Sequence, residues 1–187
     1  MIIETERLWI RPFTWDDLAE TMRQRSNPDV VRYLGGTAKQ TPEFVAERLR
    51  FYMDCRARYG FSASPAIRKS DGVFLGWGGL QPLEDSGEIE IGYGFDKPYW
   101  GQGYATELAA AWLRYGFETA RLARIVAVAD PANAGSRHVM EKLGMRYEKN
   151  EIHYGTDCVC YAISREEFRP REGFYAVHEE SKGGGEG

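Results

Sequence analysis

Cysteine is scarce in this chain: three among 187 residues, Cys55, Cys158 and Cys160. An odd count with a C-x-C spacing supports neither a disulfide framework nor a zinc knuckle. Cys158 and Cys160 are two apart on an expected strand and so share a face. They read as small buried hydrophobes in a reducing compartment. Histidine is equally sparse, and His138, His153 and His178 are scattered. No metal is therefore expected. No run approaches the ~18 apolar residues that span a bilayer. The opening MIIETERLWIRPF carries Glu4, Glu6 and Arg7 and has no apolar stretch of signal-peptide type. A cytoplasmic protein with no membrane partner is expected. A basic excess is also missing, with 24 Lys+Arg against 28 Asp+Glu. That argues against direct nucleic-acid binding.

What is present is enough for a core. Hydrophobic residues make up 43% and aromatics 13%, too many for a disordered chain. The length suits one domain over 1–178, followed by a flexible Gly-rich tail at 179–187. Glycine is unevenly placed: 4 of the 21 lie in that tail and 9 fall between Gly72 and Gly103.

Leu8–Arg11 reads as a strand ended by Pro12. Thr14 caps a helix running toward Arg25, with Asp16 and Asp17 in its first turn. A short helical piece around Val30–Leu34 stops at Gly35-Gly36. Thr41-Pro42 opens a helix that carries Phe44, Val45, Leu49, Tyr52 and Met53 and fades at Gly60. Ser64–Arg68, Val73–Gln81 and Glu88–Phe95 read as an antiparallel meander. In the last of these, Ile89, Ile91, Tyr93 and Phe95 share one face, and Glu88 and Glu90 share the other, polar face. Trp77-Gly78-Gly79 marks a bulge, a close backbone approach or room for an aromatic. A helix from Tyr104 to about Thr119 follows, then a strand at Arg124–Ala129. The next helix, Gly135–Leu143, is closed by Gly144. Strands at Arg146–Glu151 and Cys158–Ile163 complete an α/β (α+β) fold with a mixed sheet. The step from Glu88–Phe95 through one helix to Arg124–Ala129 is a βαβ crossover, so those two strands should be parallel.

The turn before the Tyr104 helix reads Trp100-Gly101-Gln102-Gly103-Tyr104-Ala105-Thr106. A helix N-terminus leaves backbone N–H groups unpaired and carries partial positive charge. Two glycines there let a ligand approach the backbone, which makes a phosphate cradle from Gln102 to Thr106. No Lys-Ser/Thr follows either glycine, which excludes a P-loop. A dinucleotide fingerprint lacks its third glycine, since Thr106 holds that place, but Asp130 ends the next strand as a ribose-binding acid would. That alternative, and a turn without ligand, stay open on these residues alone.

E-I-G-Y at Glu90–Tyr93 with P-Y-W-G-Q-G-Y-A-T-E at Pro98–Glu107 resembles the coenzyme A-binding motif of the GNAT acetyltransferases. T-E-R-L-W-I-R-P at Thr5–Pro12 and N-A-G-S-R-H-V-M-E-K-L-G-M at Asn133–Met145 resemble two further blocks of the RimJ/RimL-like branch. The resemblance implies a mostly antiparallel sheet of about six to seven strands. It would be splayed in a V between Phe95 and Arg124–Ala129, with acetyl-CoA in the opening. It places the pyrophosphate on Gln102–Thr106, next to Trp100, Gly101 and Gly103. The pantetheine arm would lie along Tyr93, Gly94 and Phe95, with Asn133 and Ser136 on the far side. Many members have Arg or Gln where Trp100 stands, and many have a proton-donating Tyr where Met140 stands. Methionine donates no proton. The family's alternative donor is a serine of the N-x-x-S element, which Ser136 matches.

The implied activity is N-acetyl transfer to a primary amine, first a protein N-terminal α-amine. A small-molecule amine or a non-catalytic acyl-CoA binder is the alternative. Glu90 is the candidate base and Ser136 the candidate acid, with backbone N–H near Phe95 as oxyanion donor. Tyr33–Gly36 and the hairpin around Glu151–Asp157 would border the acceptor. A monomer or homodimer is expected.

Overall fold

The computed structural model describes residues 1–179. The expected flexible tail lies, from residue 180 on, outside the described residues.

A nine-stranded sheet runs through the molecule. Its strands are β1 (Ile2–Thr5), β2 (Leu8–Ile10), β3 (Ala63–Arg68), β4 (Phe74–Pro82), β5 (Ile89–Phe95), β6 (Arg124–Ala129), β7 (Arg146–His153), β8 (Thr156–Ser164) and β9 (Tyr175–His178). Their order in space is β7-β8-β6-β5-β4-β3-β2-β1-β9. All neighbours are antiparallel except β5 and β6, which are parallel as the crossover requires. The sheet has more strands than the six to seven expected because of β1 and β9. These short strands pair with each other at one edge, Ile3 opposite Val177, where four-residue segments show little periodicity.

The helices are α1 (Leu18–Arg25), α2 (Pro28–Val31), α3 (Pro42–Tyr59), α4 (Tyr104–Arg114) and α5 (Ala134–Lys142). Thr41 caps α3 by accepting from the Phe44 amide at 3.2 Å, and Gly60 closes it at φ +79°. The helix expected to reach Thr119 instead widens into a π turn at Tyr115–Thr119. The physical reason lies at Gly116, whose missing Cβ would sit 2.7 Å from Ile125 and 3.0 Å from Leu80. The wide turn seats the backbone directly on the sheet.

Both faces of the central strands are covered. Leu108 and Trp112 of α4 pack with Ile91 and Phe95 on one face. Leu49 and Tyr52 of α3 pack with Trp77 and Phe74 on the other. Gly78 lets α4 approach, since a Cβ there would meet Leu108 at 2.5 Å. The double covering also buries the polar face of β5 that carries Glu90, which is 4% exposed. Strands β5 and β6 register only at Glu90 and Val126. Beyond that point they diverge, so Ile91 to Phe95 keep β4 on one side and no strand on the other.

Candidate active site

The divergence opens a cleft of about 850 Å³, within the ~300–1,000 Å³ usual for small-ligand sites. Two halves can be distinguished.

In the first half, Tyr93, Gly94, Phe95, Trp100, Gly101, Ala105, Asn133 and Ser136 line one wall and rim. Gly101 and Gly103 adopt φ +73° and +83°, the left-handed region that favours glycine. Gly103 is the cap residue of α4 and no side chain caps the helix. The first-turn amides are thus left for an acceptor from outside. Arg7 braces this turn from behind. It donates to the Gln102 carbonyl at 3.0 Å, pairs with Glu107 at 2.7 Å and lies over the Tyr104 ring. Not every expected residue faces the cleft. The Gln102 side chain turns back to the Pro98 carbonyl at 2.7 Å, and Tyr104 is buried. Gly103 and Thr106 border a separate groove with Arg7, Arg114, Lys142 and Arg171. Within Tyr93–Phe95, two carbonyls already have partners. Trp100 Nε1 donates to Phe95 at 2.6 Å and Gln24 Nε2 to Gly94 at 3.3 Å.

Asn133 caps α5 by accepting from the Ser136 amide at 3.1 Å. Ser136 Oγ lies 3.2 Å from the Tyr93 hydroxyl, which also donates to the Ser136 carbonyl at 3.0 Å. Burial pushes the Tyr93 phenol up to about 12, so it stays protonated. Met140 is buried. Ser136 and Glu90 line the same cleft but each has its own partners.

The second half holds Glu90. Gln81 Nε2 donates to Glu90 Oε1 at 2.6 Å, and the Tyr154 hydroxyl donates to the same oxygen. Oε2 has no such donor, and Glu90 lines the cleft. Burial raises the Glu90 pKa above the usual carboxylate value; hydrogen bonds from Tyr154 and Gln81 and the charge of Arg48 oppose part of the rise. Tyr154 sits at the β7–β8 turn at φ +54°. Its amide donates to Glu84 Oε1 at 3.0 Å, which fixes the turn. Tyr33 reaches across the mouth to the Ala132 carbonyl at 3.2 Å. Of the two loops, Tyr33, Leu34 and Gly35 of the first and Tyr154 and Thr156 of the hairpin line the cleft.

Sequence reasoning missed Arg7, Arg25, Arg48, Tyr52 and Gln81, and it included Tyr154 only as part of the 151–157 hairpin without singling it out. One signal was available. Arg48 lies within the apolar stripe of α3, four residues before Tyr52, where a charge is out of place.

Among the described residues, Glu151, His153 and Cys160 bring three possible metal-ligand atoms together. Both ring nitrogens of His153 already face carboxylates, Glu84 at 2.9 Å and Glu151 at 3.1 Å. The three cysteines are free and buried. No helix among the described residues is long and apolar enough to cross a membrane.

A splayed sheet with a free strand edge ending at an uncapped, glycine-rich helix start defines a class of acyl-coenzyme A-dependent transferases. Residues 7–146 match the model of the acetyltransferase (GNAT) domain. The chain belongs to the GNAT acetyltransferase family; it is an acyltransferase of the N-acetyltransferase type. The match removes the dinucleotide alternative. An N-acetyltransferase of Bacillus subtilis, YnaD, is 32% identical over 176 residues, covering 90% of this chain and 99% of that protein. The crystal structure of a GNAT-family acetyltransferase from Bacillus anthracis superposes with a TM-score of 0.76 at 33% identity, covering 89% of this chain and all of that one. RimJ of Mycobacterium smegmatis, in complex with CoA-disulfide, shares the fold with a TM-score of 0.71 at 24% identity, covering 89% of this chain and 88% of that one.

Proposed function

We propose that this chain transfers an acetyl group from acetyl-CoA to an α-amine, with Glu90 as base and Ser136 as acid. The carrying observation is the unpaired β5 edge from Ile91 to Phe95, which leads from the α4 amides to the buried Glu90. The residues present fit the coenzyme: Gly101 and Gly103 keep the cradle free of side chains, and the first-turn amides of α4 lack a side-chain cap. Gly101, Gln102, Gly103, Tyr104, Ala105 and Thr106 would hold the pyrophosphate through their backbone, beside Trp100. Tyr93, Gly94, Phe95, Asn133 and Ser136 would border the pantetheine arm. When bound, acetyl-CoA supplies an electrophilic thioester and a thiolate leaving group.

An α-amine has a pKa of ~7.7–8.0, so part of it is already neutral near pH 7. Glu90 Oε2 takes the remaining proton, directly or through water, and burial makes it a stronger base than an exposed carboxylate. Ser136 Oγ, 3.2 Å from the Tyr93 hydroxyl, turns its one proton from Tyr93 to the departing sulfur. The protein N-terminal α-amine expected from the RimJ/RimL-like resemblance is the first acceptor to test, and a small-molecule amine the second.

The test is an acetyl-CoA thiol-release screen against peptides with free N-termini, amino acids, polyamines and aminoglycosides. Glu90→Gln should lower kcat by roughly 10²–10⁴-fold, the usual contribution of a general base, and Ser136→Ala should also lower it. Turnover on no amine would refute the reading. Unchanged kcat in both variants would leave positioning alone as the source of catalysis.

A further inference from the structure

Two guanidinium groups converge on the Glu90 half of the cleft without a carboxylate partner. Arg25 Nη2 lies 3.4 Å and Arg48 Nη2 3.3 Å from the one hydroxyl of Tyr52. Arg25 is buried, donates to Gln40 Oε1 at 2.8 Å, and its Nε has no hydrogen-bond partner. Its guanidinium also lies 5.4 Å from the Trp77 ring. Arg48 covers the Phe51 and Tyr52 rings and donates to Gln81 Oε1 at 3.3 Å. All of Arg25, Arg48, Tyr52, Trp77 and Gln81 line the cleft. Every other partner just named is neutral.

Desolvating a cation without a counter-charge is expensive, and buried charges are normally paired. Burial lowers the basicity of Arg25 accordingly, whereas at Arg48 burial is outweighed by the neighbouring Tyr52 hydroxyl and the Glu90 charge, which hold the guanidinium above its ordinary value, so Arg25 is the cation left without compensation. Burial alone would raise the Tyr52 phenol, yet Arg48 and Arg25 together pull it below its ordinary value. Glu90 supplies one negative charge nearby against two positive ones. This half of the cleft is therefore short of an anion. Arginine is the side chain whose planar fork matches a carboxylate.

We propose that Arg25 and Arg48 form a carboxylate subsite, so that the acceptor is an α-amine carrying a carboxylate a few bonds from its nitrogen. The inference rests on the transferase reading above and deepens it. Gln81 sets the spacing: its Oε1 accepts from Arg48 and its Nε2 donates to Glu90 Oε1 at 2.6 Å. The anion subsite and the base thus lie one amide side chain apart. A molecule whose carboxylate meets the arginines presents its amine to Glu90. The two guanidinium charges also disfavour an ammonium nearby, which helps keep the attacking nitrogen neutral. The carboxylate can be the main-chain group of a free amino acid or the side chain of an Asp or Glu at a peptide N-terminus.

The experiment measures thiol release from acetyl-CoA with matched pairs. One arm compares free amino acids with their amides. The other compares C-terminally amidated peptides starting with Asp or Glu against those starting with Asn or Gln. The acid should exceed its neutral partner in kcat/KM by about 100-fold in at least one arm, and the arm identifies the source of the carboxylate. Arg48→Gln and Arg25→Gln should shrink that ratio below about tenfold, mainly through KM, while calorimetry still shows coenzyme A binding. Arg48→Lys, which keeps the charge, should retain part of the ratio. Equal rates for acid and neutral partner in the wild type overturn the subsite, whether or not the variants fold. Turnover on no amine refutes the transferase reading, and calorimetric binding of N-acetyl amino acids and of N-acetylated Asp- or Glu-initial peptides then decides the subsite. Binding of either that Arg48→Gln weakens at least tenfold upholds it, and binding of neither overturns it.

Discussion

Tyr154→Phe tests whether Glu90 is the base, and it does so without touching the carboxylate. The Tyr154 hydroxyl donates to Glu90 Oε1. That bond favours the ionised carboxylate, against a burial that favours the neutral acid. Removing the hydroxyl removes the stabilisation of the charge only, so the Glu90 pKa rises further. A base must be ionised to accept a proton, so the acidic limb of kcat/KM against pH moves to higher pH. A hydrogen bond to a charged group is worth roughly 1.5–3 kcal/mol. At ~1.4 kcal/mol per factor of ten, kcat/KM on the acidic limb should fall about 10- to 100-fold. The alkaline plateau should change much less, because there Glu90 is ionised in both proteins. The measurement is a thiol-release pH profile of wild type and variant at subsaturating amine. A uniform fall at every pH would assign Tyr154 to substrate positioning instead. A limb that stays in place, or moves to lower pH, would remove Glu90 from the chemistry.

Glu107 ties the N-terminal strands to the start of α4 and the glycine-rich turn before it, accepting from Thr5 Oγ1 at 2.7 Å, the Arg7 amide at 2.8 Å and Arg7 Nε at 2.7 Å. Glu107→Ala should cost about 2–4 kcal/mol, read as a fall in Tm of roughly 5–12 °C, and should weaken coenzyme A binding in calorimetry because Arg7 also holds the Gln102 carbonyl. Gly103→Val forces a β-branched residue to φ +83°. It should abolish coenzyme binding while the far-ultraviolet circular dichroism stays native, and retained affinity would count against the cradle. The raised pKa of Glu90 also has a sign for stability: its contribution is full below the unfolded carboxylate pKa and is lost as pH rises through the folded value. Glu90→Gln should therefore melt higher than wild type at pH 7, by roughly 2–4 °C per kcal/mol recovered, with the gap closing toward pH 4.

The half of the cleft proposed for the coenzyme could be read from the sequence because it is contiguous. Glu90 to Thr106 run through one strand, one turn and one helix start, and glycines at a helix start have a local meaning whatever surrounds them. Asn133 and Ser136 came to notice only through the resemblance of their block; that Asn133 caps α5 by accepting from the Ser136 amide is a finding of the structure. The strands and helices of the middle were likewise readable from alternation and caps, whereas β1 and β9 are too short to show a period and exist through their mutual pairing. The π turn after α4 depended on Leu80 and Ile125 beneath Gly116, which no local pattern reveals. Glu90 shows the limit most clearly. Alternation placed it opposite Ile91 and Phe95 on a polar face correctly, but it gave no sign that this face is covered. The face is roofed by α3, whose Tyr52 and Arg48 come from 40 residues away in the chain. The Glu90 half of the cleft is assembled from α1, α3, β4, β5 and the β7–β8 turn, and each contributes one or two residues that look ordinary in place. What sets them apart is a charge imbalance, two guanidinium groups against one carboxylate, that exists only once the five segments meet.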